Sequence, residues 1–206
     1  MKILGIETSG TLASVALLNT ETNQISEINI TAAKTHSTTL IPMIHALLDL
    51  SGVPLDDIDV IAVDTGPGSY TGIRIGIACV KGLVLSRKNI RVSGVSNLTA
   101  AAFTHGDKSF VKKEARTGTV YCGVYDEFQN PVVPDCVLSE IEFENLREKY
   151  KDFQLIEANE PYAKDLCKFA FAQGCPRTEP LNAAYLEPTK AEKETQMSEI
   201  RCQKSD

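Results

Sequence analysis

The run Asp64-Thr65-Gly66-Pro67-Gly68-Ser69-Tyr70-Thr71-Gly72-Ile73-Arg74-Ile75-Gly76 contains the residues whose types and spacing could do chemistry in this 206-residue chain. A glycine-rich turn between a strand and a helix lets a phosphate or another chain approach the backbone, and the first N–H groups of the helix favour an anion. Pro67 fixes its own φ while Gly66 and Gly68 are free to take positive values. Ser69 is placed to cap the helix. The run is not a P-loop, because no Lys-Ser/Thr pair follows at the required spacing. Nor is it GxGxxG, since Gly66, Gly68 and Gly72 include one residue too many. A second polar turn, Glu7-Thr8-Ser9-Gly10, ends the first strand-like segment. Its carboxylate could hold a metal or a water, and Thr8 and Ser9 could donate to phosphate; a plain hairpin turn is the alternative.

Other chemistry finds little support. His36, His45 and His105 form no HxxxH or HExxH pair, and His36, near a helix start, reads as a cap or surface residue. Cys79, Cys122, Cys136, Cys167, Cys175 and Cys202 include no CxxC pair, which argues against a zinc ribbon. Without a secretory signal they read as reduced thiols that are structural or incidental. Gly72 and Gly76 lie one helical turn apart, with Cys79 continuing the stripe. Glycine costs roughly 1 kcal/mol in a helix interior, so two of them need a reason. One is tight packing inside the lobe; the other is a helix–helix interface with another chain. Arg74, elsewhere on that helix, could reach an anion or a partner carboxylate.

The elements that must position these residues follow from periodicity. Segments 2–7, 13–18 and 25–30 read as a three-stranded antiparallel meander. Leu40, Ile44, Leu47 and Leu48 recur at helical spacing, with Thr35, Ser37 or Thr38 as the cap, Pro42 in or just after the first turn, and Gly52 and Pro54 as the stop. An apolar strand at 58–63 and a strand at 90–95 flank the helix from about 71 to 86, and a third helix starts near Asn97. The order β-β-β-α-β-α-β-α is that of a ribonuclease-H-like lobe. The second half shows a hairpin (109–114 with 119–125), a helix at 139–150 with Ser139 and Glu142 in capping-box spacing, a short strand at 153–156 and a helix at 162–172. From Pro188 onward the chain is rich in Lys, Glu, Ser and Gln and reads as a mobile tail. The expected domains are a first lobe at 1–104, a reduced second lobe at 105–187 and a charged tail at 188–206. After Gly123 there is only Gly174, so the second lobe lacks glycine loops to close over a nucleotide.

A net charge of −6 with basic residues in pairs at most, Arg87-Lys88 and Lys112-Lys113, argues against a surface that grips nucleic acid alone. No stretch approaches the roughly 20 apolar residues of a membrane span. A cytoplasmic chain without membrane contact is the expectation.

Segments 3–9, His36-Ser37 with Pro42-Met43-Ile44, the Gly66–Gly76 run and 115–121 together resemble the bacterial TsaB (YeaZ) family. Ala184-Tyr185-Leu186 is similar to that family's Tyr-Leu-Arg ending, with Glu187 in place of Arg. The resemblance implies a two-lobed actin-like α/β fold. It also implies a shortened paralogue of TsaD, the transferase that makes threonylcarbamoyladenosine at position 37 of tRNAs reading ANN codons. Asn97 and Ala101 stand where TsaD has its metal-binding histidines. The implied role is a non-catalytic scaffold, with a TsaD-like protein and a TsaE-like ATPase as partners, a homodimer in the absence of TsaD, and tRNA met only through the complex. The implied interface lies on helices at about 36–50 and 71–87, with Pro42, Met43, Ala46, Gly72, Ile73, Gly76, Cys79 and Val80 as its candidate residues. In this reading Gly72 and Gly76 mark the docking face. No metal and no cofactor of its own are expected, although ATP or ADP could meet Thr8, Ser9 and Arg74 in the complex. The rival reading is a degenerate ATPase or a peptidase-like enzyme.

Overall fold

The computed structural model describes residues 1–31, 36–115, 118–158 and 162–186. The expected tail lies outside the described residues, as do Thr35 and Glu187. Strands β1 (Lys2–Glu7), β2 (Leu12–Asn19) and β3 (Gln24–Thr31) form the meander. Helix α1 (His36–Leu50) leads to β4 (Val60–Asp64), then α2 (Tyr70–Val84), β5 (Arg91–Val95) and α3 (Asn97–His105). The first sheet has the order β3-β2-β1-β4-β5, antiparallel through β1–β2–β3 and parallel through β1–β4–β5. This is the ribonuclease-H-like arrangement that the element order predicts.

The second sheet has the order β8-β7-β6-β9, built from β6 (Ser109–Glu114), β7 (Thr119–Tyr125), β8 (Pro131–Ser139) and β9 (Gln154–Glu157). Helix α4 (Glu140–Lys149) carries the expected capping box between Ser139 and Glu142. Strand β8 is absent from the sequence expectation. Its Pro131 and Pro134 suppress a strand reading, and they are tolerated because β8 is an edge strand.

Helix α5 (Ala163–Ala172) returns to the first lobe. It covers the face of the first sheet opposite α1 and α2, so that Leu166 and Ala170 share a core with Ile3, Ala16 and Val60. Gly5 in β1 makes this possible, because a Cβ there would lie 2.2 Å from the Ala163 carbonyl oxygen. The chain continues along the first lobe: Thr178 N donates to Val92 O, Ala184 N donates to Thr65 O, and Leu181 is buried with the α1–α2 core. The chain from α5 onward therefore packs on the first lobe.

At the start of α1, His36 is buried, with Nε2 3.1 Å from Gly10 O, rather than a cap or surface residue. Ser37 and Thr38 lie inside the first turn, and Pro42 lies in the second. Ser69 caps α2, its Oγ accepting from Gly72 N at 3.2 Å.

The glycine stripe of α2 faces inward. A Cβ at Gly72 would lie 2.0 Å from the Thr8 carbonyl oxygen, and one at Gly76 would lie 2.6 Å from Thr8 Oγ1. The Thr8 hydroxyl donates to Gly72 O at 2.8 Å. The expectation that this stripe marks the docking face is corrected: the glycines let the end of β1 rest on the helix backbone. Gly72→Ala is expected to destabilise the chain by about 2–4 kcal/mol, since backbone must move. Gly82→Ala, where a Cβ meets nothing within 4 Å, should be neutral or stabilising by up to about 1 kcal/mol. Urea unfolding followed by circular dichroism distinguishes the two.

Candidate functional site

Parallel strands β1 and β4 lie side by side and end in carboxylates, Glu7 and Asp64. The carboxyl ends of adjacent parallel strands are where open α/β sheets place ligands. Here both acids are buried, and the turns that follow them interlock. Ser69 N donates to Ser9 O at 2.8 Å. The Ser9 N–H and hydroxyl both donate to Glu7 Oε1, at 2.8 and 2.7 Å, and Gly66 N donates to Asp64 Oδ1 at 2.7 Å.

Two further side chains close the site. Asn97, in the first turn of α3 and 1% exposed, directs its amide nitrogen at four acceptors. These are Pro67 O at 2.8 Å, Ser9 Oγ at 3.0 Å and the two Asp64 oxygens at 3.0 and 3.1 Å. Lys113, on β6 of the second sheet, donates across the seam to Ser9 Oγ at 2.9 Å and Pro67 O at 3.1 Å. A cation thus stands beside two buried acids. A neighbouring contact joins the same elements: Asp135 on β8 accepts from Ser96, the cap of α3, and from Tyr125 on β7. Burial holds the Asp135 carboxyl above the usual range despite these donors.

Burial is also the largest influence on Glu7. Together with the Asp64 charge it raises the Glu7 carboxyl from the ordinary 4.5 to about 7, against the opposing pull of Lys113 and Ser9.

The sequence-expected nucleotide residues separate. Thr8 and Ser9 are buried and hydrogen-bonded within the chain, so a phosphate would have to displace Gly72 O from the first and Glu7, Asn97 and Lys113 from the second. Arg74 is exposed. Its guanidinium lies 4.0 Å from the Tyr70 ring centre, and its Nε donates to Tyr185 Oη at 2.9 Å. Of the interface candidates, Met43, Gly72, Ile73, Gly76 and Val80 are buried inside the lobe, which corrects their assignment to a surface. Pro42 and Ala46 are exposed and Cys79 is half-buried. The sequence reading missed Lys113 and Asp135, whose approach depends on long-range docking of the second sheet. Asp64 stood in view at the end of β4.

The family described as TsaD, tRNA N6-adenosine threonylcarbamoyltransferase, matches residues 21–175. The Bacillus subtilis protein named tRNA threonylcarbamoyladenosine biosynthesis protein TsaB is 39% identical over 142 residues, 66% of this chain and 61% of that one. The chain belongs to the TsaB/YeaZ family, within the TsaD grouping. The Escherichia coli TsaB is 36% identical over 138 residues, 64% of this chain and 58% of that protein. This TsaB-family chain therefore spans about three-fifths of the length of these two relatives. A solved structure of YeaZ from Pseudomonas aeruginosa aligns with a TM-score of 0.73 and 27% identity over 90% of this chain and 99% of that one. The two-sheet α/β fold found here is the fold of that YeaZ structure.

Among the described residues no group of three or more His, Cys, Asp or Glu could hold a metal ion. Asn97 and Ala101 are both buried at the start of α3. No described helix is long and apolar enough to cross a membrane.

The raised Glu7 value gives a pH prediction. The folded state holds this proton more tightly than the unfolded chain, so the group's contribution is full below pH 4.5 and declines as pH rises to about 7. The loss is at most on the order of 3 kcal/mol. Glu7→Gln keeps an oxygen for both Ser9 donors and removes the titration. Its urea midpoint should fall less over that pH window than the parent's. An unchanged slope would place the Glu7 carboxyl at its ordinary value.

Proposed function

We propose that this chain is a non-catalytic partner and scaffold of a TsaD-like protein, in the complex that forms threonylcarbamoyladenosine at position 37 of tRNAs reading ANN codons. The observation that carries this reading is the seam, where the groups that could meet a phosphate are held by one another: Ser9 by Glu7, Asn97 and Lys113, and Thr8 by Gly72. The names of the relatives support the pathway.

The docking face we propose is the outer side of α1 and α2. Ile41 is 51% exposed, and Leu50 and Leu85 are 84% and 83% exposed. Pro42 and Ala46 on α1 and Ala78 on α2 are exposed, and Cys79 on α2 is half-buried. Small side chains on two adjacent helices admit a partner helix closely, and the large apolar ones supply area. The same face would serve a homodimer when the TsaD-like protein is absent. A TsaE-like ATPase would join with ATP or ADP, Arg74 being the exposed candidate contact; tRNA would be met only through the complex, in the cytoplasm.

Ala46→Arg should weaken capture of the TsaD-like protein of the same organism by about tenfold or more, near 1.4 kcal/mol. Its melting curve should match the parent's, because Ala46 faces outward. Capture that is unaffected by Ala46→Arg and Ala78→Arg would remove the face from the proposal. Saturable ATP hydrolysis or proteolysis by the isolated chain would favour the rival enzymatic reading.

A further inference from the structure

Cys122 on β7 and Cys136 on β8 are direct register partners across an antiparallel pair. Their sulfurs lie 3.6 Å apart. Opposed residues in such a ladder have Cα atoms about 4.5–5.5 Å apart, inside the range a disulfide spans, about 4.4–6.8 Å. Both side chains lie on the α4 side of the sheet, Cys122 buried with Phe110, Val124 and Phe143, and Cys136 only half-buried at the margin of that cluster. One sulfur is therefore reachable from solvent and the other sits behind it, already in contact. Strand β8 is an edge strand with an irregular register beside this pair, between Cys122 and Tyr125. A small closing movement there breaks no continuous ladder.

We propose that Cys122 and Cys136 form a reversible redox modification site, closing to a disulfide when the protein meets a peroxide. The Cys136 thiolate attacks one peroxide oxygen. The O–O bond breaks, the sulfur becomes a sulfenic acid, and the other oxygen leaves as water after taking a proton. The Cys122 sulfur then attacks the sulfenic sulfur, loses its proton, and expels the hydroxyl as a second water. Two thiols are oxidised and one peroxide is reduced to two waters. Position assigns the roles: Cys136 stands at the margin of the cluster and meets the peroxide first, and Cys122 stands behind it as the resolving thiol. In their contact, where either thiol can donate, Cys136 is held below its ordinary value and Cys122 is raised, by that contact and by burial. Asp135, the seam carboxylate bonded to Ser96 and Tyr125, adjoins Cys136 in sequence, so the cross-link fixes the strand that carries it.

The test uses the full chain, reduced, desalted, treated with a modest excess of hydrogen peroxide, alkylated and digested with trypsin. Arg116 and Arg147 bracket a peptide that holds both cysteines and no other cleavage site. That peptide is expected unalkylated and lighter by two hydrogens, and doubly alkylated again after dithiothreitol. Cys122→Ser should leave Cys136 as a sulfenic acid that dimedone traps, and Cys136→Ser should abolish both products. Half-buried Cys79, on α2, serves as the internal reference. The proposal is overturned if the peptide stays doubly alkylated at doses that oxidise Cys79. It is equally overturned if Cys136 proceeds to sulfinic acid without a disulfide, or pairs with a different cysteine.

Discussion

The contact between the end of β1 and the backbone of α2 sets the geometry of everything near the seam. Thr8 can lie on Gly72 and Gly76 only because neither carries a Cβ. That approach brings Ser9 to the Gly66–Ser69 turn, and it brings the carboxyl ends of β1 and β4 into one buried space. A single methyl group at position 72 would separate the two turns before any question of chemistry arose. The conformational cost of glycine in a helix is offset by a backbone contact that no side chain could make.

Once the turns are joined, two acids are taken out of water, which is costly unless donors surround them. The chain supplies these donors from three directions: backbone N–H groups of the turns, the amide of Asn97 from α3, and the ammonium group of Lys113 from the second sheet. A cleft that in principle could admit an anion thereby becomes a structural joint. The outer faces of α1 and α2 remain uncommitted, and they carry small and apolar residues. In this TsaB-family chain polar groups close the seam between the two turns and the second sheet, beside an apolar core that also spans both sheets, while the outer side of α1 and α2 keeps some apolar surface.

Most of the first lobe was legible because its strands and helices show their own periodicity, as in the alternation of β3 and the Leu40–Ile44–Leu47 spacing of α1. The helix cap at Ser69 and the capping box at Ser139 were legible for the same reason, being local. The direction in which the glycine stripe faces was not, because an inward and an outward stripe have the same sequence; only the position of Thr8 distinguishes them. Lys113 read as half of a surface basic pair, since its partners lie 46 and 104 residues away along the chain. Strand β8 was hidden by prolines that an edge position tolerates.

The return of α5 to the first sheet has a consequence for how the molecule comes into being. One face of that sheet stays bare until residues far downstream arrive, and Gly5 waits for Ala163 as its neighbour. During synthesis the amino-terminal meander and its helices can collapse, but they cannot bury both faces of the sheet until α5 has left the ribosome. Contacts of such sequence separation slow folding and prolong exposure of apolar strand. The lobe that appears first in the sequence is thus among the last parts to be finished.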